Sequence, residues 1–92
     1  METYLSSIQS VEITMPCHLG FHIRVVARFV LFVRQFHSAI RVKKGKLVAD
    51  GKNILGLLLL AAAWKSKLTV EAEGDDAEKT IRGVESFFRC EH

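Results

Sequence analysis

Apolar residues recur along this chain with a period that switches between two and about 3.6, and the order of those switches restricts the fold more than any other feature. Val11, Ile13 and Met15 alternate with Ser10, Glu12 and Thr14, the pattern of a half-buried strand that Pro16 stops. From Ile23 to Phe36 the period is helical. Val26, Phe29, Val30 and Val33 share one side; Arg24, Arg28 and Gln35 share the other. A second strand begins at Ser38, with Ile40 and Val42 alternating against Arg41 and Lys43. Lys44-Gly45 reads as a turn, and Leu47 to Ala49 as a short third strand closed by Asp50-Gly51. Asn53 can cap a second helix, from Ile54 to about Trp64, because its side-chain oxygen accepts an orphan N–H of the first turn. Leu68, Val70 and Ala72 alternate with Thr69, Glu71 and Glu73 up to Gly74. Asp75 followed by Glu78 reads as a capping box opening a last helix that carries Ala77, Ile81, Val84, Phe87 and Phe88.

The order βαββαβα, with one solvated face per strand, points to an α+β two-layer open-faced sandwich. Its four-stranded antiparallel sheet is covered on one face by three helices. With 92 residues the chain makes one domain, assigned to residues 8–92 after a flexible N-terminal extension over residues 1–7. An apolar content of 49% excludes disorder. The longest apolar run, Ile54 to Trp64, is far short of the roughly 20 residues that span a bilayer. The start Met-Glu-Thr-Tyr-Leu has no basic region and no apolar run, so a cytoplasmic protein is expected, with Cys17 and Cys90 as free thiols.

The charge balance, 13 − 10 = +3, is too mild to require a polyanion. Lys43, Lys44 and Lys46 crowd one hairpin, but the sheet lacks the aromatics of an RNA platform, so no nucleic-acid partner is expected. Charged residues there discourage edge pairing instead. Cys17, His18 and His22 offer three ligands where a structural zinc site wants four, so neither metal nor cofactor is expected. The chain has no paired carboxylates and no Gly-rich loop for catalysis. The second helix packs Ile54, Leu55, Leu57, Leu58, Leu59 and Leu60 into seven positions, more than a thin domain can bury on every side. Leu57 and Leu60 are expected inside, with Ile54, Leu55 and Leu58 partly exposed.

Gly20-Phe21-His22-Ile23-Arg24, between a strand and a helix, resembles the active-site motif of the HPr family, the histidine phosphocarriers of the bacterial phosphoenolpyruvate-dependent phosphotransferase system. Gly51-Lys52-Asn53-Ile54-Leu55-Gly56 is similar to that family's second-helix start, and Glu71-Ala72-Glu73-Gly74-Asp75-Asp76-Ala77 to its strand-to-last-helix join. The resemblance implies a stoichiometric carrier and not an enzyme. His22 becomes the phosphoacceptor and Arg24 the phosphate clamp. The carrier takes its phosphoryl group from Enzyme I and gives it to IIA-type components of sugar permeases or to regulatory targets. It also implies a partner-binding face with an apolar centre, Ile54, Leu55 and Leu58, and a basic rim, Arg24, Arg28, Lys52 and Arg34. Asn53 stands where many members carry a regulatory serine, so phosphorylation there is not available. A monomer is expected. The motif departs from the family at Ile23, usually a small residue, and at Val25, usually proline. Those two departures motivate an alternative: an HPr-like regulatory binding module with impaired or lost phosphotransfer.

Overall fold

A computed structural model describes residues 7–15, 22–60 and 66–90, of which Cys90 is described in backbone only. The elements run β1 (Ser7–Thr14), α1 (Ile23–Val33), β2 (Ala39–Lys44), β3 (Leu47–Asp50), α2 (Ile54–Leu60), β4 (Lys67–Gly74) and α3 (Ala77–Cys90). The strands form one antiparallel sheet in the order β1-β4-β2-β3. β1 pairs along its whole length with β4, from Ser7 opposite Gly74 to Thr14 opposite Lys67. Strand β1 thus opens at Ser7, inside the segment that the sequence assigns to the extension. The expected run of α2 to Trp64 lies outside the described residues.

Alternation puts every second side chain on one face of the sheet. Ile13, Ile40, Val42, Leu68, Val70 and Ala72 are buried and join one cluster with Val26, Phe29 and Val30 of α1, Leu57 and Leu60 of α2, and Ile81, Val84 and Phe88 of α3. The three helices therefore cover a single face. Rings stitch α1 to α3: Phe29 lies 5.5 Å from Phe88, and Phe32 stacks on Phe87 at 5.5 Å. Such pairs add about 0.5–1.5 kcal/mol beyond the area they bury.

The opposite face carries a charged ladder. Arg41 Nε donates to Glu71 at 2.7 Å, Arg41 Nη2 to Glu73 at 3.0 Å, and Lys43 Nζ to Glu71 at 3.3 Å. The Arg41 guanidinium, with Lys43, holds the Glu71 carboxyl below its ordinary range. Of the hairpin lysines, Lys43 is thus paired with acid, and Lys44 Nζ reaches the Leu60 carbonyl at 3.5 Å. The hairpin itself turns in two residues, and its first, Gly45, has φ +59°, which favours glycine.

The last helix is capped one residue later than the sequence suggests. Thr80 N–H donates to the Asp76 carbonyl at 2.9 Å, so Asp76 is the capping residue and Asp75 lies outside. The Asp76 carboxylate takes one long contact from its own helix, from the Thr80 hydroxyl at 3.4 Å, and its shorter bonds come from elsewhere. It accepts the backbone N–H groups of His37 and Ser38 at 2.8 and 2.9 Å, and the Ser38 hydroxyl. These donors come from the segment that opens β2, so one carboxylate ties the start of α3 to the start of β2. The approach is close enough that a Cβ on Gly74, at φ +154°, would meet Ser38 Oγ at 2.8 Å.

The Ser38 hydroxyl, with the His37 and Ser38 amides, pulls the Asp76 pKa from 3.8 to about 2. A depressed carboxylate contributes stability above its unfolded pKa and loses it as pH falls through the folded one. Asp76→Asn is therefore expected to lower stability by about 1–2 kcal/mol at pH 7, since buried Ser38 loses a charged acceptor. In urea titrations the gap between the two proteins should shrink from pH 4 toward pH 2. A gap that stays constant over that window would contradict the assignment.

Candidate functional site

His22 is the N-cap of α1, with extended backbone (φ −89°, ψ 175°) and no side-chain capping bond. The first rung of the helix is the Val26 N–H on the His22 carbonyl at 2.9 Å. The amides of Ile23, Arg24 and Val25 come before that rung, in the turn that has no intrahelical acceptors. No acidic residue stands in that turn to neutralise it. The positive end of the helix is therefore open to an anion from outside.

His22 is half-buried, and its Nε2 is buried with no hydrogen-bond partner among the described residues. Arg24 is exposed one turn-position further on. A cation here opposes the helix dipole, and only an anion bound beside it would offset that. Ile23, between them in sequence, is 64% exposed. Val25 is 3% exposed, packed in the core. Burial of a stiff β-branched side chain holds this first turn where a proline ring would otherwise fix it. Pro16, Cys17, His18, Gly20 and Phe21 lie outside the described residues.

Arg28 is exposed one turn after Arg24 on the same side of α1. Arg34 and Lys52 sit elsewhere. Arg34 is the C-cap of α1, its N–H on the Val30 carbonyl. Lys52 Nζ donates to the Phe36 carbonyl at 2.8 Å, satisfying a carbonyl just beyond the helix. The start of α2 is thus tied to the C-terminal end of α1, not to the His22 end. Along the 11 residues of α1 that is a separation of about 16 Å. Of the four basic residues, Arg24 and Arg28 lie in the first two turns of α1 after the histidine.

On α2, Asn53 Oδ1 accepts the Gly56 N–H at 3.1 Å, and the Asn53 carbonyl accepts from Leu57. Asn53 is a structural cap. Leu57 and Leu60 are buried, while Ile54 and Leu55 are exposed and Leu58 is partly buried against the core. Two apolar residues of this layer were not anticipated: Leu59, 78% exposed, and Leu31, 69% exposed. Their helical spacing carried the signal. Leu59 follows Leu55 by four residues and Leu31 follows Arg24 by seven, so each repeats an outward position. Among the described residues, His37, Asp75 and Asp76 bring three possible metal-ligand atoms within 4.8 Å, but the Asp76 carboxylate already accepts from His37 and Ser38. No helix among the described residues is long and apolar enough to cross a membrane.

Residues 9–89 match the family described as the PTS HPr component phosphorylation site. The phosphocarrier protein HPr of Neisseria meningitidis is 36% identical over 76 residues, covering 83% of each chain. The crystal structure of a phosphocarrier protein HPr from Bacillus anthracis superposes with a TM-score of 0.83 at 26% identity, covering 88% of this chain and 96% of that one. An HPr structure from Thermoanaerobacter tengcongensis gives 0.81 at 32% identity, covering 91% and 99%.

Asn53→Ala is expected to lower stability by about 1 kcal/mol through the lost cap, which for a domain of this size moves the melting midpoint by roughly 4–8 °C. A thermal melt followed by circular dichroism measures it. An unchanged midpoint would mean the cap carries no load.

Proposed function

Since the chain belongs to the HPr family, we propose that it is a phosphocarrier that accepts a phosphoryl group on His22 from phosphorylated Enzyme I and passes it to IIA-type permease components or regulatory proteins. The observation that carries this reading is a half-buried imidazole at the N-cap of α1, with no side-chain capping bond and with the exposed Arg24 two residues further on.

Near neutral pH an uncharged imidazole presents one nitrogen as a nucleophile. Burial of Nε2 favours attack through the other nitrogen, Nδ1. The Nδ1 lone pair forms the new N–P bond as the bond from phosphorus to the donor breaks, and the donor keeps the bonding pair. The ring proton stays on Nε2. The Arg24 guanidinium can hold two phosphoryl oxygens through its planar fork and offset the charge that spreads over them during transfer. The first-turn amides face the same group. The dipole contributes only about 0.3–1 kcal/mol at a site this open. It tunes a transfer whose driving force comes from the donor. Passing the group on is the same chemistry in reverse, which suits a shallow site and needs no deep pocket.

The binding-module alternative was motivated by Ile23 and Val25. Val25 is buried in the core and Ile23 is exposed, which leaves the carrier reading in place, and it is preferred.

Incubation with phosphoenolpyruvate and Enzyme I should place an acid-labile phosphoryl group on His22. His22→Ala should lose all label with an unchanged circular dichroism spectrum. Arg24→Ala should slow labelling on the order of 10²-fold, the effect of removing one charge-stabilising donor. Absence of label under conditions that charge the Bacillus anthracis HPr would overturn the proposal.

A further inference from the structure

His37 lies between α1 and β2, and Asp75 and Asp76 lie between β4 and α3. The sheet brings these two connections together. β2 runs antiparallel to β4 with Ala39 opposite Glu73, so the chain entering β2 passes the chain leaving β4. One ligand atom from each of His37, Asp75 and Asp76 then lies within 4.8 Å of the other two. No local spacing shows this, because His37 and Asp76 are 39 residues apart.

The Asp76 carboxylate is already fixed in orientation. Its Oδ1 takes the Ser38 amide, the Ser38 hydroxyl and, at 3.4 Å, the Thr80 hydroxyl. Its Oδ2 takes the His37 amide at 2.8 Å. A carboxylate oxygen has two lone-pair sites, so Oδ2 keeps one. Among the described residues, neither the His37 ring nor the Asp75 carboxylate has a hydrogen bond or ion pair, and both residues are exposed. Glu78, in the first turn of α3, is paired with Arg82. An imidazole nitrogen and two carboxylate oxygens make a donor set for a divalent ion of the zinc class. Two bonds of roughly 2.1 Å span about 4.2 Å, so the 4.8 Å spread closes on such an ion with small rotations of the two exposed side chains. Calcium and magnesium prefer sets made of oxygen alone. The positive end of α3 opposes a cation, and the two carboxylates reverse that sign.

We propose that His37, Asp75 and Asp76 bind one zinc-class divalent ion, with water completing its coordination, and that the ion clips the start of β2 to the start of α3. This site is separate from His22 and does not depend on phosphoryl transfer. The three residues meet only in the folded chain, so the bound ion stabilises the fold.

The test titrates zinc chloride into the intact chain, labelled with nitrogen-15 in its histidine rings, and into His37→Gln and Asp75→Asn. In the intact chain the His37 ring should shift and saturate at one ion per chain. At tenfold over the dissociation constant the melting midpoint should rise by roughly 5–10 °C. Both substitutions should leave the zinc-free midpoint in place and weaken binding by more than about tenfold, the least that losing even an outer-shell partner costs. A His37 ring that does not move, or a shift that never saturates, overturns the proposal. So does binding that persists in both variants, which places the ion elsewhere on the chain. Magnesium chloride matching zinc also overturns it, because that is attraction to charge without ligation. None of these outcomes bears on the carrier reading.

Discussion

A helix must begin somewhere, and its first turn has backbone N–H groups with no carbonyl to receive them. In most helices a Ser, Thr, Asp or Asn side chain takes up one of these donors. Here the capping position is held by His22, which makes no such bond, and the first turn carries Arg24 instead of an acid. Everything the site can do follows from that unfilled start. The positive end of the helix dipole lies in that turn, and the His22 imidazole, the proposed nucleophile, stands at its start.

Such an arrangement is costly for the isolated helix, and the rest of the fold offsets it. Val25, Val26, Phe29, Val30 and Val33 give α1 an apolar side that is buried almost without remainder. At about 1.5–3 kcal/mol for each large aliphatic or aromatic side chain fully buried, this outweighs a dipole mismatch of under 1 kcal/mol several times over. At the far end, Lys52 satisfies the Phe36 carbonyl and Asp76 fixes His37 and Ser38. The chain leaving α1 is thus held twice within three residues. The His22 end is left without a capping bond and the opposite end is tied down, a division that suits the proposed carrier role of presenting a group.

Period reading recovers the elements because each strand and helix buries one face, and burial of one face imposes its period on the sequence. Leu68, Val70 and Ala72 alternate because β4 lies in the interior of the sheet with helices on one side only. What no period encodes is a contact between segments far apart in the chain. The Asp76–Ser38 tie spans 38 residues. It fixes Asp76, not Asp75, at the start of α3, which the local Asp75–Glu78 spacing does not show. The Lys52–Phe36 bond is of the same kind, and it holds the Lys52 ammonium against the chain leaving α1. Leu31 and Leu59 are a different case: their outward positions could be read from helical spacing, but an apolar residue in an apolar run is ordinarily assigned to the core. At the motif itself, residue order was enough to place His22 and Arg24 at the start of one helix, because neighbours in sequence share a locality that needs no long-range contact.

The account stands on a single ring nitrogen meeting phosphorus. A nitrogen-15 spectrum of the chain labelled in its histidine rings, recorded before and after charging with phosphoenolpyruvate and Enzyme I, observes this directly. The expected result is a change at Nδ1 of His22 with splitting by phosphorus, while the rings of His18, His37 and His92 keep their shifts. Phosphorus coupled to any other ring nitrogen, or four unaltered rings after the donor has been consumed, would contradict it.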